Sequence, residues 1–235
     1  SHVALAIELE DDLSGGLGAD RLYGLAGDDT MTGGAGNDSL VGGDDNDRVV
    51  EEISGSATLT NTRITGSNGT DTLSQVEEVE LNGNTGNNVL DASAYTAGSA
   101  TLNGGDGNDT LSGGSNVQMN GGADTDVAKT TGSGTITLSD GDIADVEGVS
   151  ITGSSGDDVI DASGFSGSVS ISGGAGNDTI IGSQGPSLLN GNAGNDEITG
   201  QGDNDSLLGG GGNDTMDGGD GDDRVNGNDG DDSID

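Results

Sequence analysis

The chain has 235 residues, of which 5 are Lys or Arg and 43 are Asp or Glu, so its formal net charge is −38. It contains 49 Gly, one Pro, no Cys, two Tyr and one Phe. So few aromatic residues cannot build the core of an ordinary globular domain, and so negative a chain is not suited to bind nucleic acid. No stretch approaches the roughly 18 apolar residues of a transmembrane helix, so we expect no membrane insertion.

Composition alone is typical of a disordered chain. A nine-residue repeat overrides that interpretation, because repeat proteins bury an apolar row between neighbouring units rather than in a central core. The repeat is clearest in residues 191–235, which are GNAGNDEIT, GQGDNDSLL, GGGGNDTMD, GGDGDDRVN and GNDGDDSID. Each of these units begins with Gly, has Asp at its sixth place and has an apolar residue at its eighth.

In chain order, four uninterrupted units fill residues 15–50, and we assign residues 1–50 to an N-terminal repeat block. Residues 51–152 form an irregular block, in which segments with strand-like spacing separate the units. Residues 153–235 form a C-terminal repeat block. The units of the irregular block begin at Gly66, Gly83, Gly104, Gly113 and Gly121.

A longer repeat lies above the nine-residue one. Residues 76–111 align with residues 146–180 at an offset of 70 that falls to 69, and Tyr95 aligns with Phe165. The irregular segments are therefore duplicated modules rather than random linkers. In each duplicated module, we expect one half of a coil to lack an ion-binding turn and to be filled instead by the aromatic side chain.

Two nine-residue units make one coil of about 18 residues, with two turns and two short strands. The apolar eighth residue points inward and its neighbours point outward, because side chains alternate along a strand. Stacked coils give two parallel sheets packed back to back, with a row of turns along each edge. The predicted fold class is all-β: a right-handed parallel β-roll or β-helix solenoid of about 13 coils.

The spacing of the units predicts which turns share an edge, because turns one coil apart in the sequence should lie on one another. One edge should carry the units that begin at Gly153, Gly173, Gly191, Gly209 and Gly227. The opposite edge should carry those at Gly182, Gly200 and Gly218. In the irregular block the steps vary more in length, and a third column should contain the units at Gly66, Gly83, Gly104 and Gly121.

The turn composition indicates a cation site. Glycines at the first, second and fourth places permit left-handed backbone and bring carbonyl oxygens close together. With the sixth-place carboxylate, these carbonyls form an all-oxygen site, which suits a hard cation. Calcium is favoured over zinc because every ligand is oxygen, and over magnesium because a carbonyl-rich site suits a larger ion with flexible coordination.

The unit resembles the GGxGxDxUx repeat of the RTX, or hemolysin-type calcium-binding, family. Seventeen units are recognisable, and 14 of them have Asp at the sixth place. The resemblance implies a parallel β-roll that folds when calcium binds, in large bacterial exoproteins exported by type I secretion. Asn88, Gln118 and Ser187 take the sixth place in the other three units. Carried over by position, the resemblance implies carboxylate ligands for multiple Ca²⁺ ions at Asp20, Asp29, Asp38, Asp47, Asp71, Asp109, Asp126, Asp158, Asp178, Asp196, Asp205, Asp214, Asp223 and Asp232.

These observations predict a calcium-binding module that folds on binding many Ca²⁺ ions outside the cell. It would serve as a secretion-coupled folding or spacer segment of a larger bacterial exoprotein, secreted or held at the cell surface. We expect a monomer. We expect no catalytic residues and no enzyme, because the acidic pairs recur along the chain, whereas an active site is usually single, and His2 is the one histidine.

Two alternatives remain open at this point. The irregular block could make the chain a calcium-dependent adhesin or carbohydrate-binding module that recognises a surface glycan or another cell-surface ligand. An ice-binding solenoid is less favoured, because the turns carry no uniform rank of Thr. Recurrent Asn at the fifth place, as at Asn37, Asn177 and Asn213, is the feature that supports it.

Overall fold

The computed structural model describes residues 3–5, 10–114, 116–132, 134–139 and 143–235; His2 lies outside these ranges. Every regular element of the described chain is a β-strand. None of the described residues forms a helix long and apolar enough to cross a membrane. The chain divides into two compact units, Ser1–Asp126 and Val127–Asp235. The three blocks expected from the sequence stay a prediction.

The first unit contains fourteen strands within its described residues. They are β1 (Val3–Leu5), β2 (Asp12–Leu17), β3 (Arg21–Ala26), β4 (Thr30–Ala35), β5 (Ser39–Asp44), β6 (Arg48–Glu52), β7 (Ser56–Thr60), β8 (Arg63–Gly66), β9 (Gly69–Ser74), β10 (Glu78–Asn82), β11 (Val89–Ala94), β12 (Ser99–Asp106), β13 (Thr110–Gly113) and β14 (Val117–Ala123). They form two sheets, in the orders β1-β3-β5-β9-β8-β7-β11-β13 and β2-β4-β6-β10-β12-β14.

The second unit is built in the same way. Its described strands are β15 (Val127–Thr131), β16 (Thr135–Ser139), β17 (Ile143–Ala144), β18 (Gly148–Thr152), β19 (Val159–Gly164), β20 (Ser168–Ala175), β21 (Thr179–Ile181), β22 (Ser187–Ala193), β23 (Glu197–Thr199), β24 (Ser206–Gly211), β25 (Thr215–Asp217), β26 (Arg224–Asp229) and β27 (Ser233–Ile234). One sheet has the order β15-β18-β20-β22-β24-β26, and the other has the order β16-β19-β21-β23-β25-β27.

Neighbouring strands pair in parallel with a register set by the repeat. Leu189 pairs with Leu207, and Leu207 pairs with Val225, each time at the spacing of two nonapeptide units. Longer coils keep the same stacking, because Val149 pairs with Val169 in the same parallel register. Each unit is thus a β-solenoid, and the described chain contains about 12 coils. The predicted all-β solenoid is confirmed.

The core is the row of eighth-place residues. Leu22, Met31, Leu40 and Val49 are fully buried in the first unit, as Leu207 is in the second. In the strands that hold them, buried residues alternate with more exposed ones, as expected for a strand with one face in the core. The apolar row therefore stabilises the stack through contacts between coils rather than through a central core.

The duplicated modules fold alike. Tyr95 and Phe165 are buried, at 1% and 4% exposure, as the sequence predicted. The N–H of Tyr95 donates to the carbonyl of Ala92, and the N–H of Phe165 donates to the carbonyl of Ala162, which is the matching position. The aromatic side chain therefore fills the inside of a half-coil whose turn carries no sixth-place acid.

One region departs from the expected parallel stacking. Strand β8 pairs antiparallel with both β7 and β9. On their other sides, β7 and β9 pair in parallel with β11 and β5. Gly66 pairs with Gly69 in the hairpin between β8 and β9 and does not begin a repeat turn. The expected column from Gly66 to Gly83 is therefore wrong. The residue one coil before Asn88 is Gly55, whose carbonyl accepts a hydrogen bond from Asn88 Nδ2.

Candidate metal centres

The sixth-place aspartates form ladders along the edges of the solenoid. Along each ladder, the backbone N–H of one sixth-place residue donates to Oδ1 of the aspartate one coil further along the chain. In the second unit the N–H of Asp178 donates to Asp196, and that of Asp196 donates to Asp214, at 2.8 and 2.9 Å. Oδ1 of each aspartate is therefore used to join two coils.

These ladders confirm most of the expected columns. In the second unit one edge carries Asp158, Asp178, Asp196, Asp214 and Asp232, and the other carries Ser187, Asp205 and Asp223. In the first unit the ladders are Asp20 to Asp38 to Asp71, Asp29 to Asp47, and Asn88 to Asp109 to Asp126. Asp71 thus continues the Asp38 column, at a long sequence separation that the sequence did not predict.

The second carboxylate oxygen, Oδ2, has a different environment. In eight aspartates it is buried and has no hydrogen-bond partner in the protein. All eight are at most 3% exposed. Burying a carboxylate oxygen without a partner costs folding free energy. A bound cation or a proton at each of these atoms would remove that cost. The eight are Asp29, Asp38, Asp47, Asp109, Asp178, Asp196, Asp205 and Asp214.

Backbone carbonyls lie beside these oxygens. A methyl group at Gly209 would overlap both Asp214 Oδ2 and the carbonyl oxygen of Gly227, one coil further on. The fourth-place Gly212 has a φ of +134°, and a methyl group there would overlap the carbonyl oxygen of Gly194. The absence of a side chain at the first place thus lets a carboxylate oxygen and a carbonyl oxygen of adjacent coils approach each other beside the glycine.

Burial shapes the electrostatics of the ladders. Burial raises the pKa of Asp47, Asp109, Asp178, Asp196 and Asp205 above the usual range of aspartate. The hydrogen bond from the preceding coil partly opposes this rise, and neighbouring carboxylates add to it. These groups are therefore less readily ionised than an exposed aspartate, and nearby positive charge would favour their charged form.

The chemistry of the donor set suits calcium. Among the described residues, no three His, Cys, Asp or Glu side chains converge as a metal cluster. The available ligands are instead one carboxylate oxygen per turn together with backbone carbonyls of adjacent coils. Hard oxygen ligands, mostly neutral and arranged around a space without side chains, match the coordination of Ca²⁺ rather than that of a transition metal.

Comparison with protein families identifies the family of this chain and the metal that its repeats bind. The model of the RTX calcium-binding nonapeptide repeat (4 copies) matches residues 11–49, 96–128, 149–169, 163–186, 172–207, 181–216 and 208–235, which is more than half of the chain. The chain belongs to this RTX family. Its repeats are calcium-binding, and their number implies several Ca²⁺ ions. A comparison with curated proteins finds no match.

Three RTX turns satisfy their sixth-place residue without an ion. Asn88 Oδ1 accepts from the N–H of Asn84, and Asn88 Nδ2 donates to Gly55. Ser187 Oγ donates to the carbonyl of Gly185. Both oxygens of Asp158 accept hydrogen bonds, Oδ1 from Gly134 and Oδ2 from Ser154. Burial raises the pKa of Asp158, but these hydrogen bonds outweigh it and leave the pKa below its usual range.

The shortened unit at Gly113 has a different register from the one we predicted. Gln118 is exposed in β14, whereas Val117 is buried and lies where a methyl group on Gly113 would be. Val117 therefore takes the place of the RTX aspartate. The unit lacks one residue before this point, so counting six places from Gly113 selects the wrong side chain.

Two glutamates that we did not predict from the sequence also accept hydrogen bonds from backbone N–H groups of RTX turns. Glu51 Oε1 accepts from the N–H of Gly33, at 2.5 Å, and Glu77 Oε2 accepts from the N–H of Asp47, at 3.0 Å. Burial raises the pKa of Glu51 to about 7. Glu51 stands one full coil after Gly33, at a first place where the repeat has Gly, and this spacing could have identified it.

The fifth place of the RTX turn forms a ladder of its own, in the opposite direction. The N–H of Asn195 donates to Asn177 Oδ1, and the N–H of Asn213 donates to Asn195 Oδ1, at 2.8 and 2.7 Å. Asp157 serves Asn177 in the same way. The recurrent fifth-place Asn that supported an ice-binding surface therefore has a structural role in joining coils.

Proposed function

We propose that this RTX chain binds a Ca²⁺ ion at each turn whose sixth-place aspartate keeps Oδ2 without a protein partner, and that it folds as the ions bind. The observation that carries the proposal is the series of buried Oδ2 atoms beside carbonyl oxygens of the next coil. Asp20, Asp71, Asp126, Asp223 and Asp232 join the proposed ligands because they occupy the same ladders.

The chain's own groups prepare each site. The N–H of the preceding coil holds Oδ1 of Asp196 and thereby orients Oδ2 toward the space beside Gly191. The carbonyl of Gly209 faces the same space from the next coil. A bound calcium ion would supply the positive charge that these oxygens lack. Each site therefore joins two adjacent coils, and binding at one helps to order the next.

Charge repulsion makes folding dependent on the ions. Carboxylates stacked one coil apart repel one another, and the chain carries a net charge of −38. An ion that binds the folded chain and not the unfolded chain adds its binding free energy to folding. Each site needs only modest affinity, since extracellular calcium modules work at roughly 10⁻⁴ to 10⁻³ M.

This linkage suits an extracellular segment. A chain that stays unfolded in calcium-poor cytosol and folds in calcium-rich surroundings can serve as a secretion-coupled folding or spacer segment of a larger bacterial exoprotein. The RTX solenoid is a structural calcium-binding fold, and we assign the chain no catalytic activity. The burial of Tyr95 and Phe165 removes two of the three aromatic side chains that a carbohydrate platform could use.

A calcium titration followed by far-UV circular dichroism tests the proposal. We expect a cooperative transition from a disordered spectrum to a β spectrum, reversed by EGTA. Magnesium at the same concentration is the matched control and should produce little folding. A fully folded spectrum in excess EGTA would contradict the coupling of folding to calcium. Equilibrium dialysis at saturation then counts the bound ions.

A further inference from the structure

One edge of the first unit changes at Glu51. In the turns that begin at Gly15 and Gly33, the aspartate ladder runs from Asp20 to Asp38. The next first-place Gly would follow one coil after Gly33, but this position is Glu51, at the end of β6. The chain then leaves for the antiparallel hairpin, so no glycine carbonyl follows at this point of the edge. Glu51 also lies outside the stretches that match the RTX model.

The Glu51 carboxylate takes the position of the missing carbonyl. At Gly15 the Cβ position would lie 2.7 Å from the carbonyl oxygen of Gly33 and 2.9 Å from Asp20 Oδ2. At Gly33 the same position would lie 2.9 Å from Glu51 Oε1 and 2.8 Å from Asp38 Oδ2. The surroundings of Gly15 and Gly33 are therefore alike, except that the charged Glu51 oxygen at Gly33 replaces the neutral carbonyl oxygen at Gly15.

The Glu51 side chain is held in this orientation by the backbone. The N–H of Gly33 donates to Oε1, and the N–H of Gly34 donates to Oε2 at 3.3 Å. In a regular turn the first-place N–H donates instead to a backbone carbonyl of the next coil, as Gly200 does to Asp217. Oε1 can accept a second interaction, because a carboxylate oxygen has two lone pairs.

A second observation points to a ligand in this space. Asp38 is 2% exposed, and its Oδ2 has no hydrogen-bond partner. Glu51 is equally buried, at 2% exposure. The ion pair between Arg48 and Glu80 involves neither Asp38 nor Glu51, and no cationic side chain is paired with either carboxylate among the described residues. Two buried carboxylates that face one space repel each other unless a cation lies between them.

We propose that Glu51 and Asp38 together hold a calcium ion where the repeat is interrupted along this edge, in a site with two carboxylates where the regular turns have one. This inference rests on the proposed calcium binding of the turns. The Glu51 carboxylate replaces the glycine carbonyl of the next coil, so the Asp38 turn keeps its ion where the repeat is interrupted. Because calcium affinity rises with the number of charged ligands, this site should be the tightest on its edge.

Glu51→Gln in the full chain tests the proposal, with Glu52→Gln as the matched control. Gln keeps an oxygen that can accept from Gly33, and Glu52 is an exposed neighbour with the same charge. We expect Glu51→Gln to lose one Ca²⁺ per chain in equilibrium dialysis and to weaken the tightest step in calorimetry by about tenfold. Glu52→Gln should change neither. Unchanged ion count and affinities in Glu51→Gln would overturn the proposal.

Asp38→Asn provides an independent arm, which also decides the outcome if Glu51→Gln does not fold in saturating calcium. The single variant should lose the same tight ion, and the double variant should lose no more than either single one. Retention of the tight ion in Asp38→Asn, or loss of two ions in the double variant, would overturn the shared site. A wild-type chain that binds no calcium would instead contradict the proposed function itself.

Discussion

The turn at Asp196 and the turn at Asn88 have the same backbone ladder, but their side chains differ in whether they find hydrogen-bond partners within the protein. In both, the sixth-place N–H donates to an aspartate Oδ1 one coil further on, at 2.9 and 2.7 Å. Both side chains are buried, at 2% and 1% exposure. Oδ1 and Nδ2 of Asn88 each have a hydrogen-bond partner within the protein, whereas Oδ2 of Asp196 has none.

The comparison separates what stacks the coils from what requires an ion. Backbone pairing, the apolar row and the Oδ1 ladder are present at both turns, so none of them distinguishes the two turns. An amide carries its own donor and can be satisfied by neighbouring carbonyls, but a carboxylate offers only acceptors. The sixth-place side chain therefore decides whether a turn of a given shape must hold a cation.

The largest effect should come from filling the space that the ion would share. Gly209→Ala would place a methyl group against Asp214 Oδ2 and the carbonyl of Gly227, and we expect it to cost about 3 kcal/mol and one bound ion. Gly211→Ala is the control, because its nearest neighbour would be Asn192 O at 4.0 Å. Urea denaturation in saturating calcium measures both. Equal stability of the two variants would show that the space has no special role.

Removing the charge from an ion-requiring turn should have the next largest effect. We expect Asp196→Asn to bind one Ca²⁺ fewer, to lose about 1.4 kcal/mol of folding free energy in calcium, which equals a tenfold change in one binding constant, and to raise the calcium midpoint of folding. Asp157→Asn carries the same charge change at an exposed fifth place, where Asn serves equally well in other coils. Circular dichroism during calcium titration, with dialysis counts, compares them. A similar calcium midpoint in both variants would show that the effect of Asp196→Asn comes from the change in net charge alone.

Replacing Asn88, whose side chain finds its partners within the protein, by Asp should make this turn depend on calcium. Asn88→Asp loses the donor to Gly55, and we expect a cost of about 1 kcal/mol at low calcium that shrinks as calcium is raised. Asn87→Asp is an exposed control that keeps the oxygen accepting from Asn108. Thermal midpoints at low and high calcium measure the change. A deficit in Asn88→Asp that stays constant with calcium would mean that this turn cannot take an ion.

The smallest effect should come from the fifth-place ladder. Asn213→Ala removes the acceptor for the N–H of Asp231, and we expect a loss of about 0.5 kcal/mol with an unchanged ion count. Asn213→Asp keeps the oxygen and should remain close to wild type. Thermal denaturation in saturating calcium and equilibrium dialysis provide the two readouts. Loss of an ion in Asn213→Ala would assign the fifth place to the metal site.

Much of the candidate site was predictable because the repeat is regular. Within an unbroken run, two nonapeptide units in the sequence are one coil in space, so the ladder from Asp178 to Asp232 followed from counting. Counting failed after interruptions. Asp71 lies on Asp38 across the whole hairpin excursion, and Val117 rather than Gln118 occupies the aspartate position. An excursion of unknown path does not conserve register, so its length alone cannot place the next turn.

The sequence by itself determined the solenoid, its inward apolar row, the aspartate columns within unbroken runs and the family, because each depends on a short period that local geometry repeats. Only the tertiary structure decided which oxygens lack a partner. The antiparallel hairpin brings Asp71 onto the Asp38 column, and it leaves Glu51 where a further glycine would have stood. Hydrogen-bond satisfaction is settled by groups from adjacent coils, and these become neighbours only when the chain has stacked.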